Sequence, residues 1–238
     1  MSMSLELDHL FLMTEQNAPA AERLIQFGLA EGSPNEHPGQ GTANRRFFFQ
    51  NLFLELLWVS SSAEAQSPLA MPTGLWDRWS GRDAGASPFG ICFRARASQP
   101  VGQIGSEDTS RTGGLPFVAW DYRPPYLPAP LAIQMSERCA IVAEPLLFFI
   151  GFGRRPDSDT AERRQPLEHA CGLRKVTRAT VHSRSFGKMH EQFRAAQTAC
   201  AALRFEAGSE EQLELGFDDE TQGQSVDFRP ALPLMFCW

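Results

Sequence analysis

Leu5-Glu6-Leu7-Asp8-His9-Leu10-Phe11-Leu12-Met13-Thr14 is the stretch on which the fold turns. Its period-two alternation predicts a strand, with Leu5, Leu7, His9, Phe11 and Met13 on one face. One imidazole thus sits on an otherwise apolar face. Beyond it, Asn17 is placed to cap a helix that tolerates Pro19 in its first turn, carries Ala21, Leu24 and Ile25 as a stripe, and stops at Gly28. A polar, Gly- and Pro-rich loop over 32–44 leads to two further strands at 46–50 and 52–60. On the second of these, Phe53, Glu55, Leu57 and Val59 share one face, and Leu52, Leu54, Leu56 and Trp58 the other. Both faces are apolar, so Glu55 has no solvent side. A buried carboxylate needs a metal, a basic partner or a proton.

Further along, 61–72 reads as a linker, 75–79 as a turn or two of helix and 88–97 as a strand. The pattern then dissolves over 98–130, a stretch too long for an ordinary connection, which reads as an irregular insertion covering one end of a sheet. Strand-like runs return at 131–134, 139–142 and 146–152, and a charged loop over 154–165 follows. After a strand at 173–183, Met189, Phe193, Ala196, Cys200 and Leu203 make an apolar stripe at helical spacing. Runs at 203–207 and 212–218, a polar turn at 219–223 and an apolar close over 225–238 complete the chain. Strand, helix, strand, strand, strand recurs, which suggests a module at 1–153 that contains the insertion and a second at 166–238.

The 238 residues are 42% hydrophobic, enough to bury a sizeable core. A net charge of -6 argues against a nucleic-acid partner. The pairs Arg45-Arg46, Arg154-Arg155 and Arg163-Arg164 are isolated from one another and read as solvated loops. No apolar run is long enough to span a bilayer, and Met1-Ser2-Met3-Ser4 does not read as a secretory signal. Five cysteines without Cys-x-x-Cys spacing suit reduced thiols and a cytoplasmic location. The motifs of nucleophile elbows, phosphate loops and dinucleotide sites are missing, which disfavours hydride and phosphoryl transfer.

Three short motifs in order resemble the glyoxalase-like branch of the vicinal oxygen chelate superfamily. They are Leu7-Asp8-His9-Leu10, the loop His37-Pro38-Gly39-Gln40-Gly41-Thr42-Ala43-Asn44, and Leu54-Glu55-Leu56-Leu57. The resemblance implies an α+β fold of paired βαβββ modules whose mixed sheets curl around a concave pocket. It implies His9 and Glu55 as ligands of a divalent metal (Zn, Mn, Fe or Ni), a type of ion that imidazole and carboxylate suit. Glu55 could instead act as a catalytic base, or the two residues could simply line a pocket and hydrogen-bond there. Thr42 and Asn44 are candidates for holding a small-molecule ligand.

Other positions depart from the family pattern. Arg178, in Val176-Thr177-Arg178-Ala179, stands where the opening His would recur, and it can clamp an anionic ligand or pair with an acid. Glu214 matches the later carboxylate but falls on the more exposed face, and Phe89-Gly90-Ile91 occupies the place where single-chain glyoxalases often carry a further His. His37, His169, His182 and His190 read as loop, surface or helix-end residues. Two functions stay open: a metal-dependent lyase, isomerase or dioxygenase-type enzyme, and a metal-free protein that binds or sequesters a small molecule. The resemblance also makes a homodimer the common arrangement and leaves no role for a membrane.

Overall fold

The computed structural model describes residues 3–96, 114–188 and 190–238. The chain runs through β1 (Leu5–Met13), α1 (Ala21–Phe27), β2 (Asn35–His37), β3 (Thr42–Phe48) and β4 (Phe53–Val59). The short helices α2 (Ser62–Ala65) and α3 (Leu75–Ser80) lead to β5 (Phe89–Ala95), β6 (Ala119–Tyr122), β7 (Ile133–Ser136) and β8 (Leu146–Ile150). These eight strands form one curled sheet in the order β2-β3-β4-β1-β5-β8-β7-β6, a half-barrel. Its two halves repeat each other: β1 lies parallel to β4, β5 lies parallel to β8, and the antiparallel β1–β5 pair is the joint. One repeat therefore lies inside the large sheet. The connector that corresponds to α1 in the second half contains residues 97–113, so that part of the expected insertion lies outside the described residues.

A bulge decides what the pocket contains. Where β1 pairs with β5, the register shifts between Leu7 and His9. One extra residue moves every later side chain to the opposite face. Leu5 and Leu7 consequently pack with Leu10 and Leu12 on the convex side, whereas His9, Phe11 and Met13 turn to the concave side. This corrects the unbroken alternation expected for 5–14. It leaves a clean division on β4, where Leu54 and Leu56 are convex and Phe53, Glu55 and Leu57 concave.

After the loop 154–165 come β9 (Val176–Ser183), α4 (Gln192–Ala199), β10 (Leu203–Ala207), β11 (Gln212–Phe217), β12 (Ser225–Asp227) and β13 (Leu234–Cys237). They form a separate five-stranded sheet of order β10-β9-β11-β13-β12. Phe193, Ala196 and Cys200 bury the apolar stripe of α4; Met189, which would begin that stripe, lies outside the described residues. The second sheet packs behind the first: Leu54, Leu56 and Phe93 share one core with Val181, Phe217 and Phe236. Asn51 stitches the two together, accepting from the Val176 amide at 3.0 Å and donating to its carbonyl at 2.7 Å.

Local chemistry explains the remaining differences. Asn17 and Ala18 both adopt left-handed backbone (φ 65° and 45°), so α1 starts at Ala21 without a side-chain cap, and Gly28 (φ 111°) ends it as expected. The run 139–142 is a turn, not a strand. The fully buried Arg78 reaches it from α3 and donates to the carbonyls of Val142 and Glu144, and to that of Ser87, at 2.6–3.1 Å. Carbonyls held by a guanidinium are not free to form a ladder. No helix among the described residues is long and apolar enough to cross a membrane, and all five cysteines are free.

Candidate functional site

The concave face encloses a cavity of about 200 Å³. Phe11, Phe53 and Leu57 form one apolar wall, and Ile133, Met135, Leu146, Phe148 and Ile150 the other. Tyr122 at the end of β6, and Tyr126 and Leu127 from the segment after it, close over the cavity. This is the one part of the expected insertion whose covering role can be seen. At the polar end stand His9, Glu55, His37, Arg46, Asn35 and Gln40.

His9 is fixed from behind. Its Nδ1 lies 2.8 Å from Asp8 Oδ1, so Nδ1 carries the proton and donates it, which turns the bare Nε2 toward the cavity. The other Asp8 oxygen accepts from Arg94 at 3.4 Å, and Arg94 is held in turn by Glu6 and by the Asn51 carbonyl. The imidazole also stacks on Phe53, with ring centroids 4.6 Å apart. Across from it, Glu55 accepts a hydrogen bond on Oε1 from the Asn44 amide and presents Oε2 at 4.0 Å from His9 Nε2.

Two acceptors facing each other at 4.0 Å are too far apart for a direct hydrogen bond and repel without something cationic or protic between them. Imidazole nitrogen and carboxylate oxygen both suit a divalent ion, which at metal–donor distances of about 2.0–2.2 Å and tetrahedral angles would draw the two atoms in to about 3.3–3.6 Å. The donor set therefore fits a metal. A second cluster, Asp8, His9 and Cys92, also brings three donor atoms within 4.8 Å of one another. It is the weaker centre. Both Asp8 oxygens are engaged, one of them by an arginine, and burial pushes the Cys92 thiol well up, keeping it protonated.

Thr42 and Asn44 sit one layer behind the lining, where they hold it in place. Thr42 Oγ1 accepts from Gln40 at 2.7 Å and from His37 Nδ1 at 2.9 Å, and Asn44 Oδ1 accepts from the Asn35 amide at 2.8 Å. Gly39 and Gly41 turn the loop between β2 and β3 with φ of 78° and 74°. Arg178 is not brought to this cavity. It lies on β9 in the other sheet, paired with Glu214 at 2.6 Å and Glu220 at 2.7 Å, so its place is an ion-pair cluster rather than a ligand clamp. Glu214, three-quarters or more buried, is its partner there and also lies 3.5 Å from His182 Nε2.

The cavity's guanidinium is Arg46, and its imidazoles include His37. His37 lies in the stretch that reads as loop, and Arg46 opens a predicted strand but reads, with Arg45, as part of a solvated pair. The signal that could have found Arg46 is the alternation Thr42, Asn44, Arg46, Phe48, which puts it on the same face as the residues the loop motif singles out. His37 accepts from Asn35 Nδ2 on Nε2 at 3.1 Å, and burial lowers its affinity for a proton, so its ring is neutral. The missing histidine at 89–91 also has a steric reason. Gly90 pairs with Phe11 across β1–β5, and a Cβ there would lie 1.9 Å from the Phe11 ring. Phe11 fills the space a ligand side chain would need.

A family model described as a glyoxalase-like domain matches residues 7–198. No curated protein matches the chain. Among solved structures, a hypothetical protein from Staphylococcus aureus shares 13% identity at a TM-score of 0.55, over 98% of this chain and 99% of that one. A fusion of a xylose isomerase-like TIM barrel with 4-hydroxyphenylpyruvate dioxygenase shares 9% at a TM-score of 0.49, over 92% of this chain and 37% of that one. At 13% identity the likeness to the Staphylococcus aureus protein is one of fold.

Proposed function

This chain belongs to the glyoxalase-like domain family, within the vicinal oxygen chelate superfamily, and from that premise we propose that its concave pocket binds a small molecule over a divalent metal held by His9 and Glu55. The observation that carries the reading is the pair of facing acceptors, His9 Nε2 and Glu55 Oε2, 4.0 Å apart at the polar end of an otherwise apolar cavity. When bound, the metal supplies Lewis acidity to a substrate oxygen. Asp8 keeps the His9 ring in the tautomer that offers Nε2, and Asn44 fixes the carboxylate. The Phe and Leu walls exclude water and strengthen every charge interaction at that end. As an alternative to ligation, Glu55 would take a proton from a carbon next to a carbonyl, the step of a lyase or isomerase. Free thiols throughout favour a cytoplasmic setting.

One observation favours a metal-free binding protein instead. Among the described residues, no third His, Cys, Asp or Glu offers a donor atom within 4.8 Å of those of both His9 and Glu55. Elemental analysis of protein purified without chelator or histidine tag separates the two readings. The expected result is about one equivalent of a transition metal, lost in His9→Ala and in Glu55→Gln and reduced in Asp8→Asn. Wild-type protein that stays metal-free after dialysis against Zn, Mn, Fe and Ni sinks the enzyme reading and leaves sequestration.

A further inference from the structure

Arg46 is a cation without a carboxylate. On β3 it lies opposite Glu55 in strand register, yet no acidic oxygen among the described residues comes within 4.0 Å of its guanidinium. Its Nε donates to the Ser33 carbonyl at 2.8 Å, and Nη2 makes only a long contact of 3.5 Å to the Pro34 carbonyl. The planar group lies over Phe48 and Phe53, 5.1 and 5.8 Å from the ring centroids. It is thus pinned in orientation by stacking and by one backbone bond, which leaves Nη1 and most of the capacity of Nη2 unspent at the cavity wall. Arg45, its neighbour in sequence, is the contrast. It projects to the other side and is saturated by Glu31 and Glu22 at 2.6–2.9 Å.

A partly desolvated guanidinium with no carboxylate in ion-pair contact is costly, and burial, only partly offset by the field of Glu55, lowers its hold on its proton. Phe53 ties this cation to the proposed reaction centre, because the same ring that underlies Arg46 stacks on His9. We infer that the pocket takes a small organic acid with an apolar body, whose carboxylate docks on Arg46 while its chain lies between the Phe and Leu walls toward Phe148 and Ile150. Among the described residues that line the cavity Arg46 is the only lysine or arginine, and Glu55 stands beside it. One positive charge suits a monoanion. The inference rests on the reading of the concavity as a small-molecule pocket and adds the chemical class of what enters it.

Titration calorimetry on the full-length, metal-loaded chain tests it with isosteric acid and amide pairs of increasing length: 3-phenylpropanoate, 4-phenylbutanoate and octanoate, each against its primary amide. The acid should bind at least about tenfold more tightly than its amide in the best-fitting pair, the scale of one charge-assisted fork. Arg46→Gln should erase the difference while leaving metal content and the circular-dichroism spectrum unchanged, and Arg46→Lys should keep part of it. Acid and amide binding equally in wild type overturns the assignment of Arg46 but leaves the pocket reading standing. No binding of any probe overturns both. An acid preference that persists in folded Arg46→Gln moves the anion to another group and overturns the inference alone.

Discussion

His169 shows how a single residue can bind distant parts of the chain and make stability depend on pH. Its Nδ1 accepts from the Ala30 amide at 3.0 Å and its Nε2 donates to the Phe48 carbonyl at 3.0 Å, so the buried ring is neutral with a fixed tautomer. Burial lowers its pKa from the ordinary 6.5, and burial lowers that of His37 as well. The unfolded chain therefore takes up protons near pH 6.5 that the folded chain refuses. Stability is at its plateau above that pH and declines as the pH falls through the depressed folded values. Denaturant midpoints should drop between pH 7.5 and 5.5. His169→Leu should cost about 1–3 kcal/mol at pH 7.5, the loss of two satisfied buried groups, and should show a shallower acid decline; curves parallel to wild type would assign the pH dependence elsewhere. The sequence places His169 in a polar, charged stretch and suggests a surface role. Its partners lie 139 and 121 residues away, and only packing reveals them. His9 and Glu55 were legible because an ionisable group on an apolar strand face is conspicuous at short range.

Elements were legible where periodicity was strong and misread where one residue broke it. The strands at β1 and β11 follow from alternation and those at β4 and β5 from apolar runs, but no composition signal marks the bulge beside Asp8 that turns His9 away from Leu7. Its cause is the pairing with β5, a long-range event. The segment after β6 has the opposite character. It lacks a period of its own and takes its shape from what it covers: Tyr126 donates to Gln40 at 3.1 Å and its ring lies 5.0 Å from that of His37, while Pro125 rests against Gly39. Gly39 combines left-handed backbone (φ 78°) with this close approach, since a Cβ would stand 2.8 Å from Pro125 Cγ. Gly39→Ala should therefore loosen the cover without touching His9 or Glu55, costing more than the roughly 1 kcal/mol of an unstrained glycine change. Limited proteolysis should cut within 123–131 several times faster while metal content stays at the wild-type level. An unchanged cleavage rate would show that the cover is held from its β6–β7 end alone.

At the scale of the molecule, the sequence shows that a strand-helix-strand pattern recurs but cannot show which strands pair. Alternation identifies a strand and its buried face, whereas the partner is set by closure of a sheet over dozens of residues. The strand, helix, strands order expected at 166–238 is present there as β9 to β13, whereas the pairing repeat of β1–β4 and β5–β8 inside the first sheet was not legible, and 166–238 supplies the backing sheet. That backing has an energetic consequence. Phe217 is fully buried and meets Phe49 of the first sheet edge-on at 4.9 Å and Phe236 of its own sheet at 4.8 Å. Because one core serves both sheets, the cavity walls depend on residues that never approach the ligand. Phe217→Ala should cost about 3–5 kcal/mol, and the loss should reach the first sheet. Four of the five tryptophans, Trp58, Trp76, Trp79 and Trp120, belong to the first-sheet half of the chain, so emission reports mainly on that half. The denaturant midpoint followed by tryptophan emission should fall together with the midpoint followed by far-ultraviolet dichroism, in one transition. An emission midpoint that stays at the wild-type value while the dichroism transition splits would mean that the pocket sheet folds without its backing, and that 1–153 and 166–238 are independent units.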